Sequence, residues 1–595
     1  MRLTIALPLL CLPVLFGADW KLADNPLTTP WTGQVNPAHP LPEYPRPQMV
    51  RKDWINLNGL WDYAIRPQQE PAPARYDGSL LVPFPLESAL SGVKKPLKPE
   101  QQLWYHRKFT APNLKGKRLL LHFGAVDWRA EVWVNGKPVG KHEGGYGPFT
   151  FDITAALKGR GAEEIVVAVW DPSDSGLQPR GKQVLNPSSI WYTAVSGIWQ
   201  TVWLEPVPEH RIEELTMTPD LDGNRLRLTV ASSSPGEFGV RVALAGKTVG
   251  QATGRLNEAS TVLLSDIEPW SPDSPTLYDI EISLPEGDRV TGYFGMRKVE
   301  VRKDPAGFNR IYLNGQPLFG IGPLDQGWWP DGLYTAPTDA ALRSDIDTLK
   351  KMGFNMCRKH VKVEPARYYY WCDKLGFMVW QDMPSAMPKE HSAVKQATGD
   401  DLAFTAAEDA IFRRELEAEI RNLRNVTSIV AWVPFNEGWG QHDTNAILQW
   451  VQSLDGSRLV NGPSGWEDRG YGDMKDMHQY PGPGMYPVTA GRASVLGEFG
   501  GLGLPIEGHL WWDKRNWGYR SFEDRTKLQA GYEDLMQKLE PLVKQGLAAA
   551  IYTQTTDVEG EVNGLMTYDR KVIKYDVEKL AQWHRRIIAA GGVGR

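Results

Sequence analysis

From about Trp54 to Pro206, short runs of alternating apolar and polar residues are separated by Gly, Pro and Asn. A period of two is typical of antiparallel strands that bury one face in a core. The dipeptide Asn135-Gly136 lies between two such runs. It is a strong signal for a two-residue hairpin, because both turn positions need positive φ. We therefore predict a β-sandwich of the jelly-roll type over residues 19–207.

A second stretch of alternating residues runs from about Arg211 to Arg302 and ends where prolines interrupt the pattern. Its candidate strands are Leu226–Val230, Gly239–Ala245, Thr261–Leu264 and Tyr278–Ile282. The length of this stretch suits an immunoglobulin-like β-sandwich, which we predict over residues 208–302.

After Asp304 the pattern changes to apolar runs that alternate with amphipathic helices. The strand candidates are Pro317–Pro323, Phe354–His360, Phe377–Pro384, Ser428–Glu437, Arg458–Pro463, Met474–Tyr480, Ser494–Phe499 and Ala548–Thr555. Alternating strands and helices predict a parallel sheet, and about eight strands close a (β/α)8 TIM barrel. We predict such a barrel over residues 303–595, which makes the chain a multidomain protein.

The first residues have the charged start and short apolar body of a secretory signal, with Met1-Arg2 before the apolar stretch Leu3–Phe16. We predict a signal peptide over residues 1–18 and a secreted or periplasmic protein. Phe16 stands near the predicted cut, where a small residue is usual, so a short membrane anchor is the alternative.

Composition narrows the function classes. The 595 residues are 42% hydrophobic and 23% charged, with a formal net charge of -5. These values are typical of a soluble globular protein, and nothing in the charge indicates a surface for nucleic acid. We predict neither a nucleic-acid partner nor a membrane partner. Cys357 and Cys372 lie in apolar contexts and are expected to be buried thiols rather than a disulfide framework.

Two glutamates stand at the ends of predicted barrel strands, where barrel enzymes carry their working residues. Glu437 ends the apolar run that begins at Ile429, and Glu498 follows Val495-Leu496-Gly497. Two carboxylates that face each other across a sugar are the minimum that glycosidic cleavage requires, because one protonates the leaving oxygen while the other meets the anomeric carbon. A single strand-end glutamate is more often part of a salt bridge, so the pair carries the prediction.

The chain resembles glycoside hydrolase family 2 in the order of its predicted domains and in several motifs. In the barrel the motifs are Asn436-Glu437 and Gly497-Glu498-Phe499-Gly500. In the first domain they are Val132-Trp133-Val134-Asn135-Gly136, Gly140–His142, Gly144-Gly145-Tyr146, Pro148-Phe149 and Ser196-Gly197-Ile198-Trp199-Gln200. The resemblance covers nearly the whole chain after the predicted signal peptide.

The resemblance implies a retaining mechanism in which Glu437 is the general acid/base and Glu498 the nucleophile, with carboxyl groups about 5–5.5 Å apart. It implies that Asn436 hydrogen-bonds the sugar 2-hydroxyl and that Tyr480 contacts the nucleophile. Arg358 matches the family's arginine on the second barrel strand. This chemistry requires no metal ion and no organic cofactor.

Three histidines, His360, His442 and His478, lie in separate β/α units without metal-ligand spacing, so we predict no metal site. Each is expected to hydrogen-bond a substrate or to lie in the core. We place His360 among the substrate-binding residues.

Two regions depart from the family's pattern. The first barrel strand continues into Trp328-Trp329, and Trp328 is expected to stack on a sugar or to pack at the surface. Asn563 is expected to bind substrate, but Gly564-Leu565 follows it. The lysine that β-glucuronidases of the family place two residues after this asparagine is therefore missing. Arg570 and Lys571 are the candidates on the same loop to bind a carboxylate instead.

Without a clear carboxylate clamp, a neutral sugar is favoured. We therefore predict an exo-acting β-galactosidase whose substrate is an oligosaccharide or another glycoside. β-Glucuronidase, β-galacturonidase and β-mannosidase are the alternatives within the family. Glu559 and Glu561, after the eighth strand, are expected to bind sugar hydroxyls or to be solvated.

Two alternatives belong to other classes. A non-catalytic carbohydrate-binding protein on the same fold would be expected to lose at least one of the two glutamates. A serine esterase is disfavoured because the chain lacks a Gly-x-Ser-x-Gly elbow, and Gly462-Pro463-Ser464-Gly465 is better interpreted as a turn after the fifth strand.

Overall fold

The computed structural model describes residues 20–285, 287–385 and 400–592. The predicted signal peptide over residues 1–18 lies outside these ranges. Among the described helices, none combines the length and the apolar character needed to cross a membrane.

The first part of the chain forms a β-sandwich. Its strands are β1 (Ile55–Asn56), β2 (Gly59–Pro67), β3 (Gly78–Val82), β4 (Gln101–Phe109), β5 (Arg118–Phe123), β6 (Val126–Asp127), β7 (Arg129–Val134), β8 (Lys137–Glu143), β9 (Phe149–Asp152), β10 (Glu163–Trp170), β11 (Gln183–Val184), β12 (Tyr192–Thr193), β13 (Gly197–Ile198) and β14 (Val202–Val207). A six-stranded sheet, β3-β2-β4-β10-β7-β8, faces a four-stranded sheet, β1-β14-β5-β9. Alternate residues such as Leu121, Val132 and Val167 fill the core between the two sheets.

The hairpin predicted at Asn135-Gly136 is confirmed. Strands β7 and β8 pair antiparallel on either side of it. Asn135 and Gly136 have φ of +52° and +75°, and Gly and Asn adopt this left-handed region more readily than other residues do.

The second part of the chain is a smaller sandwich. Its strands are β15 (Glu214–Asp220), β16 (Arg225–Ala231), β17 (Glu237–Leu244), β18 (Lys247–Arg255), β19 (Ala259–Leu263), β20 (Tyr278–Ser283) and β21 (Arg289–Phe294). They form a three-stranded sheet, β15-β16-β19, and a four-stranded sheet, β18-β17-β20-β21. This seven-stranded arrangement has its own core, which includes Leu228, Val242 and Ile280.

A short three-stranded sheet follows, with β22 (Val299–Lys303), β23 (Asn309–Leu313) and β24 (Gln316–Pro317). Ile311 of β23 packs in the same core as Val495 and Ala549 of the barrel. Arg310 donates a hydrogen bond to the carbonyl of Leu547, at the start of a barrel strand. This sheet therefore covers the amino-terminal end of the barrel.

The barrel strands confirm the predicted series, with small changes in their bounds. They are β25 (Gly320–Asp325), β26 (Met356–Lys359), β27 (Met378–Asp382), β28 (Ile429–Val433), β29 (Leu459–Val460), β30 (Met474–Gln479), β31 (Ala493–Gly500) and, after the short β32 (Leu502–Gly503) and β33 (Arg520–Ser521), β34 (Leu547–Thr553). They pair in the order β29-β28-β27-β26-β25-β34-β31-β30. A parallel bridge between Asn461 and Met474 joins the two outer strands, so the ring is nearly closed.

Helices surround the barrel on its outer side. They are α1 (Asp339–Lys351), α2 (Ala366–Leu375), α3 (Ala406–Leu423), α4 (Thr444–Leu454), α5 (Arg525–Lys544) and α6 (Val577–Gly591). The segments 461–473 and 480–492, which follow β29 and β30, are fully described and contain no helix. Loops thus replace helices in the fifth and sixth units.

The first sandwich contacts the carboxyl-terminal end of the barrel. The indole nitrogen of Trp128 donates to Oε1 of Glu415 in α3 at 2.9 Å. The hydroxyl of Tyr192 donates to Oε2 of Glu561 at 2.5 Å, and Thr193 donates to Oε1 of Glu559. Strand β12, which contains Tyr192, therefore lies against the loop after β34, next to the strand ends.

Candidate active site

Both candidate glutamates lie at the carboxyl-terminal end of the barrel. Glu498 is part of β31, and Glu437 follows the end of β28 by four residues. Glu437 has φ of +51°, a left-handed conformation that is uncommon for a residue with a long side chain. Its side chain packs against the next loop, since a Cβ added at Gly465 would lie 3.4 Å from Cγ of Glu437. Backbone strain of this kind is typical of functional sites.

The two glutamates are close to each other and to one histidine. One carboxylate oxygen of Glu437, one of Glu498 and one ring nitrogen of His478 all lie within 4.8 Å of one another. Two carboxylates at this distance repel each other unless cations or hydrogen-bond donors surround them. The neighbours of the pair therefore decide its charge state.

Glu498 is contacted by Arg358 and Tyr480. Nη1 of Arg358 lies 3.3 Å from Oε1 of Glu498, and the hydroxyl of Tyr480 donates to Oε2 at 2.5 Å. Burial raises the pKa of Glu498, but the charges of His478 and Arg358 outweigh this effect and lower the pKa to about 2. Glu498 is therefore ionised at neutral pH.

Arg358 connects Glu498 to two further side chains, Asp382 and Asn436, that lie far from it in the sequence. Its guanidinium donates two hydrogen bonds of 2.9 Å to Asp382 and one of 2.7 Å to Oδ1 of Asn436. Arg358 and Asp382 belong to the neighbouring strands β26 and β27, so their pairing follows from the strand order. The fork of Arg358 fixes the orientation of the Asn436 amide.

Nδ2 of Asn436 is buried and has no hydrogen-bond partner among the described residues. Buried donors are rarely left without an acceptor. Because its Oδ1 is already engaged by Arg358, Asn436 can offer only its Nδ2 donor to a ligand oxygen.

Glu437 is the first member of a hydrogen-bonded chain. Nδ1 of His478 lies 2.8 Å from Oε1 of Glu437, and Nε2 of His478 lies 2.7 Å from Oγ of Ser464. Ser464 in turn donates to Asp476 at 2.7 Å. Burial lowers the pKa of His478, but the carboxylates of Glu498, Glu437 and Asp476 reverse this effect, and the net shift is upward. A protonated His478 donates to both neighbours.

The cluster of Glu437, His478 and Glu498 contains two carboxylates and one imidazole, which are common metal ligands. Both ring nitrogens of His478 are engaged, one by Glu437 and the other by Ser464. The raised pKa of His478 favours the protonated ring, in which both nitrogens carry hydrogens and no lone pair is left for a metal ion. The residues therefore do not fit a metal ion in this geometry.

His360 lies beside the same group. Its Nδ1 is 3.0 Å from Oδ2 of Asp382 and 4.0 Å from Oε1 of Glu498. Burial, together with the nearby charge of Lys182, lowers the pKa of His360 well below its usual value, so the ring is neutral. The ring of Trp439 is 6.4 Å away. The structure thus brings His360 to the two glutamates, and its contact with substrate stays a prediction.

Trp328 requires a correction. The side chain is 2% exposed, packs edge-on against Tyr192 at 5.5 Å and lies 4.6 Å from Tyr334. Its faces are covered by protein, so both predicted roles, sugar stacking and surface packing, are wrong. The two loops meet because the first sandwich docks on the barrel, which no pattern in the first barrel strand indicates.

The prediction that Asn563 binds substrate also requires a correction. Asn563 is buried, its Oδ1 accepts from Gln554 at 2.8 Å, and its Nδ2 donates to Oε1 of Glu561 at 2.9 Å. With both side-chain atoms engaged, Asn563 positions Glu561 rather than contacting a ligand. Glu559 and Glu561 are buried, so the prediction of solvated acids is wrong for both.

The cationic alternatives to the missing lysine do not reach the pocket. Arg570 is buried, pairs with Asp345 at 3.2 Å and stacks over Trp329 at 3.9 Å. Lys571 lies 3.9 Å from Asp569. Neither is placed beside the two glutamates.

Several residues near the site were missed because no pattern in the sequence marks them. Trp466 is 40% exposed with its ring 5.9 Å from that of His478, and Tyr519 is 44% exposed and stacks on Tyr480 at 3.6 Å. The feature that distinguishes Trp466 and Tyr519 is an exposed aromatic ring close to the catalytic candidates. The sequence does not show which aromatic residues are exposed. Lys182, from the first sandwich, is buried, and nothing in the sequence indicates that this part of the sandwich docks near the two glutamates.

A large cavity lies away from the two candidate glutamates. It has a volume of about 770 Å³ and is lined by both sandwiches and by barrel residues such as Arg367, Glu415 and Asn422. Neither Glu437 nor Glu498 lines it. The cavity is a junction between domains rather than part of the glutamate site.

Three segments of the chain match family models. Residues 94–193 match "Glycosyl hydrolase 2 galactose-binding domain-like", residues 210–297 match "Glycosyl hydrolases family 2", and residues 335–477 match "Glycosyl hydrolases family 2, TIM barrel domain". Together these segments span more than half of the chain.

Among curated proteins, the chain is similar to a β-galactosidase of Thermoanaerobacter pseudethanolicus, with 28% identity over 390 residues. The match covers 60% of this chain and 48% of that protein, so the chain spans about half the length of this relative.

Solved structures show the same fold. A β-D-glucuronidase of Dictyoglomus thermophilum superimposes with a TM-score of 0.72 and 17% identity, covering 91% of this chain and 98% of that one. A β-glucuronidase of Ruminococcus gnavus gives a TM-score of 0.72 and 18% identity, covering 92% of this chain and all of the other. At these identities the likeness concerns the fold alone.

Proposed function

The chain belongs to glycoside hydrolase family 2, and we propose that it is a retaining exo-β-glycosidase with Glu437 and Glu498 as its catalytic pair. The main observation behind this proposal is that a carboxylate oxygen of Glu437 lies within 4.8 Å of one of Glu498. Retaining glycosidases place their carboxyl groups about 5–5.5 Å apart, whereas inverting enzymes leave about 6.5–9.5 Å for a water molecule. The short distance favours direct attack by one carboxylate.

Glu498 is suited to the role of nucleophile. Its pKa of about 2 keeps it ionised, and Tyr480 and Arg358 fix its two oxygens. Glu437 is suited to the role of acid/base, because His478 orients it and its side chain is more accessible than that of Glu498. Each role therefore agrees with the surroundings of the side chain.

In the first step, an oxygen of Glu498 forms a bond to the anomeric carbon while the bond from that carbon to the glycosidic oxygen breaks. Glu437 gives its proton to the leaving oxygen. In the second step, Glu437 takes a proton from water, whose oxygen bonds to the anomeric carbon as the bond to Glu498 breaks. Two inversions at one carbon give overall retention, and both glutamates return to their starting states.

Asn436 is proposed to donate from Nδ2 to the sugar 2-hydroxyl, because this buried donor lacks a partner in the described structure. Hydrogen bonds to this hydroxyl strengthen as the transition state forms. Trp439 and the neutral His360 are proposed to line the same pocket.

Ser464, His478 and Glu437 form a hydrogen-bonded chain like that of a serine hydrolase. Ser464 is fully buried and its hydroxyl donates to Asp476, so it cannot reach a carbonyl carbon. The arrangement supports Ser464 as a positioning residue for His478. A non-catalytic binding protein is disfavoured because both glutamates are present and contacted by the groups their roles require.

The proposed function is tested with activated aryl β-glycosides that differ in the sugar: galactoside, glucuronide, galacturonide and mannoside. Hydrolysis of at least one, with the β-anomer as the first product in proton NMR, is the expected result. Glu498→Ala should abolish turnover, while Glu523→Ala, at an exposed position on the same domain, should behave as wild type. An α-anomer as the first product would contradict the retaining mechanism, and inertness towards all four sugars would contradict the activity.

A further inference from the structure

Lys182 is a buried cation that the first sandwich contributes to the barrel site. Lys182 is 5% exposed and immediately precedes β11 in the chain. Nζ lies 5.6 Å from the centre of the Tyr192 ring and 6.0 Å from that of Trp439. Burial raises the pKa of Glu561, and the charge of Lys182 opposes this effect, as it does at Glu498. Lys182 therefore lies within electrostatic reach of the proposed nucleophile.

The nearby carboxylates already have other partners. Glu561 accepts from Tyr192 and from Asn563, one bond on each oxygen. Glu498 accepts from Arg358 and Tyr480, again one on each oxygen. Across residues 20–285, 287–385 and 400–592, no carboxylate forms an ion pair with Lys182. Its contacts are weak ones with two aromatic faces.

The ammonium group of Lys182 interacts with Glu561 and Glu498 only at a distance and makes no direct ion pair with either, so the hydrogen-bond positions around Nζ are left for a ligand. We therefore expect the ammonium group to bind an anionic group of a ligand. A neutral sugar hydroxyl would replace water without balancing the charge, whereas a carboxylate would form a charge-assisted hydrogen bond. The ring of Trp439, 6.0 Å from Nζ, lies 6.4 Å from the ring of His360, and Nδ1 of His360 is 4.0 Å from Oε1 of Glu498. This series of contacts favours a position for the anion on the sugar that Glu498 attacks.

We propose that Lys182 binds the carboxylate of a uronic acid in the sugar that is transferred to Glu498. The inference rests on the proposed glycosidase function and specifies its substrate class. It also reverses the preference for a neutral sugar, which was based on the missing lysine after Asn563. In this chain the cation comes from the first sandwich instead of from the loop after β34.

The test compares kcat/KM for 4-nitrophenyl β-D-glucuronide, β-D-galacturonide and β-D-galactoside in the full chain, in Lys182→Met and in Lys182→Arg. Wild type is expected to prefer one of the uronides over the galactoside. Lys182→Met should lower the ratio of uronide to galactoside kcat/KM by about 10- to 100-fold, mainly through KM, because one charge-assisted bond is lost. Lys182→Arg keeps the charge and should retain most of the preference.

Lys141→Met is the matched control, since Lys141 belongs to the same sandwich but is largely exposed and pairs with Glu131. Free D-glucuronate and D-galacturonate are tested as inhibitors, and the anion that fits should lose affinity in Lys182→Met. Thermal unfolding checks that each variant is folded. If Lys182→Met does not fold, the inhibition constants of Lys182→Arg and Lys182→Gln give the same comparison between a charged and a neutral side chain.

The outcomes separate the two proposals. Cleavage of the galactoside with no cleavage of either uronide would overturn the role of Lys182 and leave the glycosidase intact. The role would equally be overturned if Lys182→Met lowered kcat/KM for all three substrates by the same factor. A preference for a 6-sulfated galactoside over both uronides would show that the anion is not a carboxylate. Inertness towards every sugar would instead contradict the proposed function itself.

Discussion

The hydroxyl of Tyr480 donates a hydrogen bond of 2.5 Å to Oε2 of Glu498, and the ring of Tyr519 stacks on Tyr480 at 3.6 Å. The second oxygen of Glu498 faces Arg358. One oxygen is thus fixed by a neutral donor and the other by a cation, which sets both the charge and the direction of the carboxylate.

Replacement of Tyr480 by phenylalanine removes only the neutral donor. Because a hydrogen bond to a charged group contributes about 1.5–3 kcal/mol, Tyr480→Phe is expected to lower kcat/KM by about 10- to 100-fold. Steady-state kinetics with an activated aryl glycoside measure this change. Tyr471→Phe is the control, since the hydroxyl of Tyr471 binds Gln452 instead. A Tyr480→Phe enzyme as active as this control would contradict the role.

The separate roles proposed for Glu437 and Glu498 lead to a stereochemical prediction. Glu498→Ala should lower kcat by at least about 10³-fold, and added azide should enter from the vacated face to give the α-glycosyl azide. In Glu437→Ala, azide should instead attack the glycosyl-enzyme and give the β-azide. Proton NMR of the isolated azides distinguishes the two anomers. The opposite assignment would mean that the roles are reversed.

The charge on His478 leads to a prediction about pH and activity. Among the charges that lower the pKa of Glu498 to about 2, that of His478 has the largest effect. Removing this charge should therefore raise the pKa of Glu498. In His478→Gln the acid limb of the kcat/KM profile is expected to move to higher pH. Profiles recorded between about pH 3 and 8 measure the shift. An unchanged acid limb would contradict the electrostatic coupling.

The same residue should affect stability with a defined sign. The pKa of His478 is raised in the folded protein above its ordinary value of 6.5. Its protonation therefore stabilises the fold fully below about pH 6.5, and this contribution is lost as the pH rises through the folded-state pKa. The difference in unfolding free energy between wild type and His478→Gln is expected to be larger at about pH 5.5 than at about pH 9. Urea unfolding at both values tests this.

Removal of a single hydroxyl group, that of Tyr192, should weaken the contact between the first sandwich and the barrel. Tyr192→Phe removes the donor to Glu561 and leaves a buried carboxylate oxygen unsatisfied, which costs about 1–3 kcal/mol. We expect a lower unfolding temperature in calorimetry, with Tyr471→Phe again as the control. No change in unfolding temperature would mean that this contact does not stabilise the docked arrangement.

Trp328 and Trp466 form a matched pair of tryptophans with opposite environments. Trp328→Ala is expected to lower the free energy of unfolding by about 3–5 kcal/mol, because a large core side chain is removed. Trp466→Ala, at an exposed position, should lower it by less than about 1 kcal/mol. Denaturant unfolding compares the two. Equal effects would contradict the burial of Trp328.

Much of the fold could be predicted from the sequence because the signals are local. The period of two and the Asn135-Gly136 turn specify the first sandwich, and the apolar runs mark the barrel strands. The position of Glu498 at a strand end followed from the same local pattern, because strand ends of a barrel meet at one rim.

The misplaced residues depend on contacts between distant segments. Trp328 is buried by Tyr192, and Asn563 is occupied by Gln554 and Glu561. Lys182 carries no motif and reaches the barrel only because the sandwich docks there. Hydrophobic periodicity describes single elements, so it contains no information about which loop covers which strand end.

The placement of Lys182 and Tyr192 outside the barrel has an evolutionary consequence. With Lys182 in its proposed role, part of the substrate preference is encoded in the first sandwich, whereas both glutamates belong to the barrel. Exchanging the first sandwich between homologous chains should transplant the choice of sugar while the hydrolytic steps stay the same. Diversification within such a lineage would then proceed through recombination at the module boundary as well as through point mutation in the loops of the barrel.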